Sequence, residues 1–225
     1  TQDLAALSAT QFSALRSGQI QALSTEQIGS LKNAQIQNLA EANVRAMSTS
    51  QVAALTTSQL QVFNTAQMAA LSSDQLGGIG TDQLRSLKPS LISALRSEAI
   101  AGLSTAQIGA LSVSQIVQMS SQQIGALSDT QIAAIGTDDM AALTGRQLSA
   151  MSTSQMQALT TDQITALKPS QVVSVPTQSI AALTANQVSA FTAQQVAYLT
   201  NSQMGALTSD QVGALTTDQI PHLKA

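Results

Sequence analysis

The feature that most constrains this chain is an unbroken eight-residue period. Octads with position one at Ser8 follow one another without insertion or deletion as far as Leu223, which makes 27 consecutive octads. Positions five and eight are apolar in all 27, and position four is Gln in 22 of them. Because every octad has the same pattern, every octad must occupy an equivalent structural site. The sequence therefore predicts one continuous octapeptide-repeat solenoid over residues 1–225 rather than a globular domain.

The spacing of the apolar positions excludes one long helix. An α-helix turns by about 100° per residue, so each octad leaves a drift of roughly 80° and the apolar rows would wind around the helix. In a regular strand, positions five and eight would point to opposite faces. A β-solenoid with a corner in each octad remains the alternative fold, although abundant Ala and Gln are untypical of strands.

Capping signals favour short helices. Ser or Thr at position one with Gln at position four forms the S/T-x-x-Q capping box, as in Ser24…Gln27 and Thr160…Gln163. The apolar residues at position eight of one octad and position five of the next then stand at N′ and N4, the two sites of a hydrophobic staple. We therefore predict an all-α solenoid of helices of about one and a half turns, with at least two octads per coil. Capping explains the Gln column, and a stacked Gln ladder that binds a ligand is the alternative.

A longer, 80-residue period overlies the octads. Position seven is mostly small, which would let neighbouring helices approach closely, but three of its bulky or polar exceptions, Asn38, Gln118 and Tyr198, recur every ten octads. The Lys-Pro pairs that begin at Lys88 and Lys168 have the same spacing. Duplication of an 80-residue block would explain this period. The alternative is a specialised contact on one face, used for lateral packing or subunit docking, and on that interpretation these five residues are the candidate assembly contacts.

Composition excludes several classes of function. The chain has no Cys and one His, so neither a disulfide framework nor a Cys- or His-based metal site is expected. A net charge of −3 gives no basic surface for nucleic acid, and no apolar run is long enough for a membrane span. Asp138 and Asp139 are explained as acids at a helix start rather than as calcium ligands. We find no catalytic motif, and we predict no enzyme activity, cofactor or metal.

The octads resemble a known kind of repeat array. Leu-Thr-Thr-Asp-Gln-Ile-Thr-Ala-Leu (159–167) and Leu-Ser-Thr-Ala-Gln-Ile-Gly-Ala-Leu (103–111) are similar to the L-[ST]-[ST]-x-Q-[IV]-x-A-L arrays of very large bacterial secreted or surface proteins. Such proteins carry labels such as adhesin-like, hemolysin-like or heme-utilisation. The resemblance covers essentially the whole chain. It implies export, through a leaderless or C-terminal-signal route, to the bacterial surface and a spacer or matrix role there.

Together these observations predict a structural protein that forms an extracellular fibre, filament or surface stalk. We expect it to self-associate end to end or laterally, and we expect the segment to belong to a longer array because the octad register continues to both ends of the sequence. The alternative is an adhesin whose repetitive Ser/Thr/Gln face engages glycan, ice or a cell surface through avidity.

Overall fold

The computed structural model describes Leu4 and residues 6–223. Within this part of the chain, nearly every octad folds as one short α-helix of four to six residues, and no strand is present. The octad after Gly213 ends in a single turn of 3₁₀-helix, Ile220–His222. The all-α prediction is thus confirmed, and the β-solenoid alternative is wrong. The capping signals predicted the fold correctly because the two residues of a capping box lie within one helical turn, so even helices this short can contain them.

The helices occupy the same part of every octad. Those up to Gln118 are α1 (Ala9–Ser13), α2 (Ser17–Gln21), α3 (Thr25–Gly29), α4 (Asn33–Gln37), α5 (Glu41–Ala46), α6 (Thr49–Ala53), α7 (Thr57–Gln61), α8 (Thr65–Ala70), α9 (Ser73–Gly77), α10 (Thr81–Arg85), α11 (Pro89–Ser93), α12 (Ser97–Ile100), α13 (Thr105–Gly109) and α14 (Val113–Gln118). Those that follow are α15 (Ser121–Gly125), α16 (Asp129–Ala133), α17 (Thr137–Ala142), α18 (Gly145–Ser149), α19 (Thr153–Gln157), α20 (Thr161–Ala166), α21 (Pro169–Val172), α22 (Thr177–Ala182), α23 (Ala185–Ser189), α24 (Ala193–Ala197), α25 (Asn201–Gly205) and α26 (Ser209–Gly213).

Each octad bends in the same way. In the octad that contains α9, the N-cap Ser72 is extended (φ −83°, ψ 168°) and the C-cap Gly78 is still helical (φ −78°, ψ −16°). The preceding Leu71, at position eight, is also extended (φ −66°, ψ 139°). Two consecutive extended residues therefore turn the chain between helices. No residue in the described part has a positive φ, so the bends do not depend on glycine.

Helices stack on the third helix that follows them. In the N-terminal unit (Thr1–Met119), α3 contacts α6, α6 contacts α9, and α9 contacts α12. In the C-terminal unit (Ser120–Ala225), α16 packs on α19 and α19 on α22 in the same manner. Three octads therefore make one coil in each unit. This agrees with the expected minimum of two octads, while the prediction of one continuous array over residues 1–225 stays a prediction.

The core of each unit consists of the two apolar columns. Side chains at position five are almost completely buried from Phe12 to Val196, with Ile36 and Ile164 at 0% exposure. Those at position eight, such as Leu55 and Leu167, are buried from Leu31 to Leu199. Both members of the predicted staple therefore face the interior of the coil. In the described part of the chain, no helix is long and apolar enough to cross a membrane.

Candidate functional site: the glutamine clip

The most regular polar feature of the fold is the glutamine at position four. Its side-chain oxygen caps its own helix, because Gln75 Oε1 accepts a hydrogen bond of 2.8 Å from the backbone N–H of Ser72. The hydroxyl of Ser72 in turn accepts the backbone N–H of Gln75 at 3.2 Å. This reciprocal pair is the predicted capping box, and most octads that carry Ser or Thr at position one form it.

The glutamine amide nitrogen joins two coils. Gln75 Nε2 donates to the carbonyl oxygens of Met47 at 2.6 Å and Val44 at 2.9 Å, which lie 28 and 31 residues earlier in the chain. These carbonyls belong to the end of α5 and to the bend after it, and the carbonyl of Val44 also accepts the backbone N–H of Met47 at 3.2 Å. The side chain thus satisfies an N-cap N–H in one coil and two carbonyls in the preceding coil. We call this arrangement the glutamine clip.

The clip recurs along both units with nearly constant geometry. Other glutamines that reach the carbonyls 28 and 31 residues earlier are Gln35, Gln51, Gln59, Gln67, Gln107, Gln115, Gln155, Gln163, Gln171, Gln187, Gln195, Gln203, Gln211 and Gln219. Their side chains are buried, and no buried side-chain polar atom in the described residues lacks a hydrogen-bond partner. The ladder is therefore fully used in holding the coils together, which argues against a ligand-binding ladder.

The sequence predicted one of the two roles of the position-four glutamine. The capping function was predicted from the spacing of Ser and Gln at positions one and four. The link to the previous coil was missed, since its partners are backbone carbonyls that carry no sequence signal. The available hint was the near-invariance of Gln itself. A capping box works with Glu as well as with Gln, yet no Glu occurs at position four, and only an amide can both accept from the N-cap and donate to carbonyls.

In two of the octads without Gln, another side chain donates to one of the carbonyls that the clip would reach. Asn43 is one methylene shorter than Gln, and its Nδ2 reaches only the carbonyl of Leu15, 28 residues earlier, at 2.9 Å. In the octad of Ala99, the guanidinium of Arg96 donates to the carbonyl of Leu71 at 3.4 Å. That carbonyl is the one a glutamine at position 99 would reach. The joint between coils is therefore maintained by other donors where the glutamine is missing.

The remaining exceptions at position four differ from one another. Leu91 and Ser179 are buried and have no amide to form a clip. Asp139 is also buried, at 8% exposure, and a Cβ added to its N-cap Gly136 would lie 2.8 Å from its Oδ2. Glycine at position 136 thus leaves room for this carboxylate beside the helix start.

Small residues at position seven allow the coils to approach closely, as the sequence predicted. A Cβ added to Gly78 would lie 2.7 Å from Thr49 Cγ2 and 3.0 Å from the carbonyl oxygen of Thr49, in the preceding coil. Gly102 meets Ser73 in the same way, with its added Cβ against the Ser73 Cβ. Position seven therefore lies directly against position two of the neighbouring coil.

The predicted assembly residues all lie at the surface. Asn38 is the C-cap of α4, where its Nδ2 donates to the carbonyl of Ala34 at 2.7 Å, and Gln118 is the last residue of α14. Tyr198 is the C-cap of α24 and is 47% exposed. Lys88 and Lys168 are exposed N-caps of helices that begin with proline. Their role as contacts stays a prediction.

Helices three octads apart stack on one another and form a column. In the N-terminal unit, residues that are 80 positions apart do not lie in the same column. There, α4 stacks with α7, α10 and α13, whereas α14 stacks with α11, α8 and α5. Asn38 and Gln118 therefore lie in different columns. The physical reason is that the period spans ten octads, which is not a whole number of three-octad coils. Within this unit, the fold favours the duplication interpretation over a single specialised face.

The described residues offer little for chemistry at a site. They contain no group of three or more acidic or His side chains that could hold a metal ion. The ion pair Arg45–Glu41, at 3.1 Å, joins two exposed side chains on the same helix. The single histidine, His222, lies at the surface next to Pro221. The hydroxyls at position one serve mainly as helix caps.

A coil that repeats one core and one clip is the mark of a repetitive structural protein of the helical solenoid class. The ALTTAQ repeat family model matches residues 1–33, 57–89, 76–113, 92–121, 132–169 and 198–225, which together make up more than two thirds of the sequence. The chain therefore belongs to the ALTTAQ repeat family, and the predicted octapeptide-repeat array is confirmed. A search of curated proteins found none that matches the chain.

Proposed function

We propose that this protein is a non-catalytic spacer that forms a fibre or stalk at the bacterial cell surface. The observation that carries the proposal is the glutamine clip, which joins successive coils within each unit through the same hydrogen bonds. In a chain built this way, stability is a sum of coil terms and coil–coil terms, so length increases with copy number without a new core.

The surface location is supported by the resemblance to secreted arrays and by composition. The chain has no cysteine to oxidise outside the cell, and 9% charged residues leave few ion pairs for its stability to depend on. Self-association belongs to the same proposal, because a fibre lengthens either by copy number within one chain or by joining chains.

The spacer role is tested by duplicating the octads. A chain in which residues 8–223 occur twice in frame should show a maximum dimension in X-ray scattering that increases by the length of the added coils, with an unchanged cross-section. The matched control carries a flexible Gly/Ser insert with the same number of residues, which should add little helical circular dichroism and no persistent length.

Two outcomes would contradict the proposal. The first is a duplicated chain that collapses into a wider particle of similar length. The second is selective binding of a glycan or an ice surface by the unmodified chain, which would favour the adhesin function instead. Antibody labelling of intact against permeabilised cells tests the location separately, and labelling only after permeabilisation would remove the cell surface from the proposal.

A further inference from the structure

One column of the C-terminal unit carries an exposed apolar pair. Position six of an octad lies beside position seven one coil later, since Gln157 Nε2 donates to the carbonyl of Ala182 at 2.6 Å. Val173 and Tyr198 occupy the same two positions on α21 and α24, which contact each other. Their side chains are 48% and 47% exposed, although most octads have a small residue where Tyr198 stands. The pair is therefore a surface feature of this column.

Two basic side chains belong to the same column. Arg146 lies on α18 and Lys168 is the N-cap of α21, and both are exposed. The two helices are one coil apart, because a Cβ added to Gly145 at the start of α18 would lie 3.0 Å from the Cβ of Ser174, just after α21. The four exposed side chains of this column form what we call the tyrosine face: Arg146, Lys168, Val173 and Tyr198.

The position of Arg146 is not explained by its own helix. Position three lies in the first helical turn, where the helix dipole favours an acid and disfavours a base. Eight octads have an acid at this position, and Arg146 is the only base there. A contact outside the helix is therefore the better explanation for a base at this place.

A second column of the same unit carries an acidic row. Asp138, Asp162 and Asp210 stand at position three of α17, α20 and α26, and Asn186 stands at the same position of α23. These four helices stack in that order, and the four side chains are exposed. We call them the aspartate row. In the part of the chain that the structure describes, neither its three carboxylates nor the two bases of the tyrosine face have an ion-pair partner.

The charges of the two surfaces match coil by coil. Because a coil takes three octads, consecutive helices such as α17 and α18 lie in neighbouring columns of one coil. Asp138 and Arg146 are on these two helices. Asp162 on α20 and Lys168 before α21 are the corresponding pair one coil later. The acids of one surface and the bases of the other therefore have the same spacing along the unit.

The uncharged positions also match. In the coil after Asp162 and Lys168, the aspartate row has Asn186 on α23 and the tyrosine face has Tyr198 on α24. The acidic row thus loses its charge in the coil where the other surface presents a phenol instead of a base. An amide can donate to and accept from a phenol hydroxyl, so this pair is compatible in the same way as the charged pairs.

We propose that a second copy of this chain docks its aspartate row on the tyrosine face, with the two copies side by side, parallel and in axial register. Opposite charges then meet in two successive coils, and Tyr198 meets Asn186 in the third. In the antiparallel orientation, Tyr198 would face Asp138 and Arg146 would face Asn186, so only the central pair would match. This inference rests on the self-association included in the proposed function, and it names the surfaces and the partner.

The contact joins two different surfaces, so it does not stop at a dimer. A docked pair still presents one free tyrosine face and one free aspartate row, and such heterologous contacts continue to further copies. Exposed ion pairs are individually weak and are screened by salt. The structure therefore points to lateral bundles that form at low ionic strength and are strengthened where an array repeats the contact.

Two charge-reversed variants test the contact. Arg146→Glu with Lys168→Glu makes the tyrosine face acidic, and Asp138→Lys with Asp162→Lys makes the aspartate row basic. Each variant presents like charges on both surfaces, whereas a mixture of the two brings opposite charges together again. The controls make the same changes of charge at exposed positions of the N-terminal unit: Lys32→Glu with Arg85→Glu, and Asp74→Lys with Asp82→Lys.

Two further substitutions test the uncharged pair. Tyr198→Ala introduces the commonest residue of position seven, and Asn186→Asp introduces an acid at position three, as in eight other octads, so neither should disturb the fold. We expect both to weaken association. A row that merely attracted bases over a long range would instead bind more tightly with Asn186→Asp, and that result would contradict the proposed register.

Sedimentation velocity over a range of concentrations, at low and at high sodium chloride, provides the measurement. The unmodified chain and both controls should form species larger than the monomer at low salt, and high salt should weaken their association at least about tenfold. Each charge-reversed variant should associate at least about tenfold more weakly than its control, and an equimolar mixture of the two should recover association. Unchanged circular dichroism in all variants would show that the fold is retained.

Three results would overturn the inference. They are an unmodified chain that stays monomeric at low salt, a charge-reversed variant that associates like its control, and a mixture that recovers nothing. If the unmodified chain is monomeric while the duplicated chain still increases in length, the spacer function stands and only the lateral contact is lost.

Discussion

The side-chain amide of Gln75 donates a 2.6 Å hydrogen bond to the carbonyl of Met47, 28 residues earlier. The same side chain accepts the N-cap N–H of its own helix, so one residue type both starts a helix and attaches it to the coil before. This double use explains how such short helices persist, although isolated helices below roughly 12 residues are marginal in water. Each is stabilised by its neighbours rather than by its own length.

Removing one clip should destabilise the N-terminal unit. Replacing Gln75 with Ala removes the donor to the carbonyl of Met47 and the acceptor for the N-cap N–H of Ser72, whereas the carbonyl of Val44 keeps the backbone N–H of Met47. Unpaired buried polar groups cost about 1–3 kcal/mol each. We expect Gln75→Ala to lower the free energy of unfolding by about 2 kcal/mol or more in urea denaturation. Gln37→Ala, at an exposed position six, is the control and should change it by less than about 0.5 kcal/mol. Equal effects of the two substitutions would contradict the structural role of the clip.

Alanine at two glycines should have opposite effects. At Gly102 the new Cβ would meet Ser73 of the preceding coil, so we expect Gly102→Ala to lower stability by about 1–3 kcal/mol through overpacking. At Gly18 nothing lies within 4 Å of the added Cβ, and Ala in this helix should raise stability by up to about 1 kcal/mol. The thermal unfolding midpoints of the two variants compared with the parent chain provide the check. Stabilisation by Gly102→Ala would show that the coils are not in close contact there.

Deletions should be tolerated in steps of one octad. Removing residues 48–55 takes out one whole octad, so the octads that follow keep their caps and staples, and their glutamines still meet carbonyls at positions five and eight of the preceding coil. Removing residues 48–51 takes out half an octad and shifts the later apolar positions relative to the coil below, so positions five and eight no longer meet the core. We expect cooperative thermal unfolding and unchanged helical signal per residue for the first variant, and loss of both for the second. Similar behaviour of the two variants would mean that the octad register does not determine the packing.

The octad of Ala99 should accept a restored clip. Ala99→Gln introduces an amide that can reach the carbonyl of Leu71, which the guanidinium of Arg96 now contacts at 3.4 Å. Removing that guanidinium with Arg96→Met should lower stability slightly, and adding Ala99→Gln to this variant should recover the loss and add about 1 kcal/mol. Chemical denaturation of both single variants and the double variant gives the coupling between the two sites. Additive effects would indicate that the two side chains serve different carbonyls.

Salt should have little effect on stability. The ion pair Arg45–Glu41 joins two exposed side chains, and exposed i,i+4 pairs contribute about 0.3–0.5 kcal/mol. We therefore expect the thermal midpoint to change by no more than a few degrees between low salt and high concentrations of sodium chloride. A large decrease would reveal an electrostatic contribution to coil packing that the hydrogen bonds and apolar columns do not explain.

The local structure was determined by the sequence alone. Ser72 and Gln75 stand at positions one and four, and the residues that begin, cap and staple each helix all lie within one octad and the residue before it, so the pattern of one octad predicts its own fold. The coil was decided only by tertiary structure. Stacking joins residues of different coils, and because all octads are nearly identical, no sequence signal distinguishes two octads per coil from three. The number of octads per coil is set by packing geometry and not by the repeat pattern. For this reason the sequence did not predict that Gln75 donates to another coil. For the same reason it suggested that Asn38 and Gln118 lie on one face.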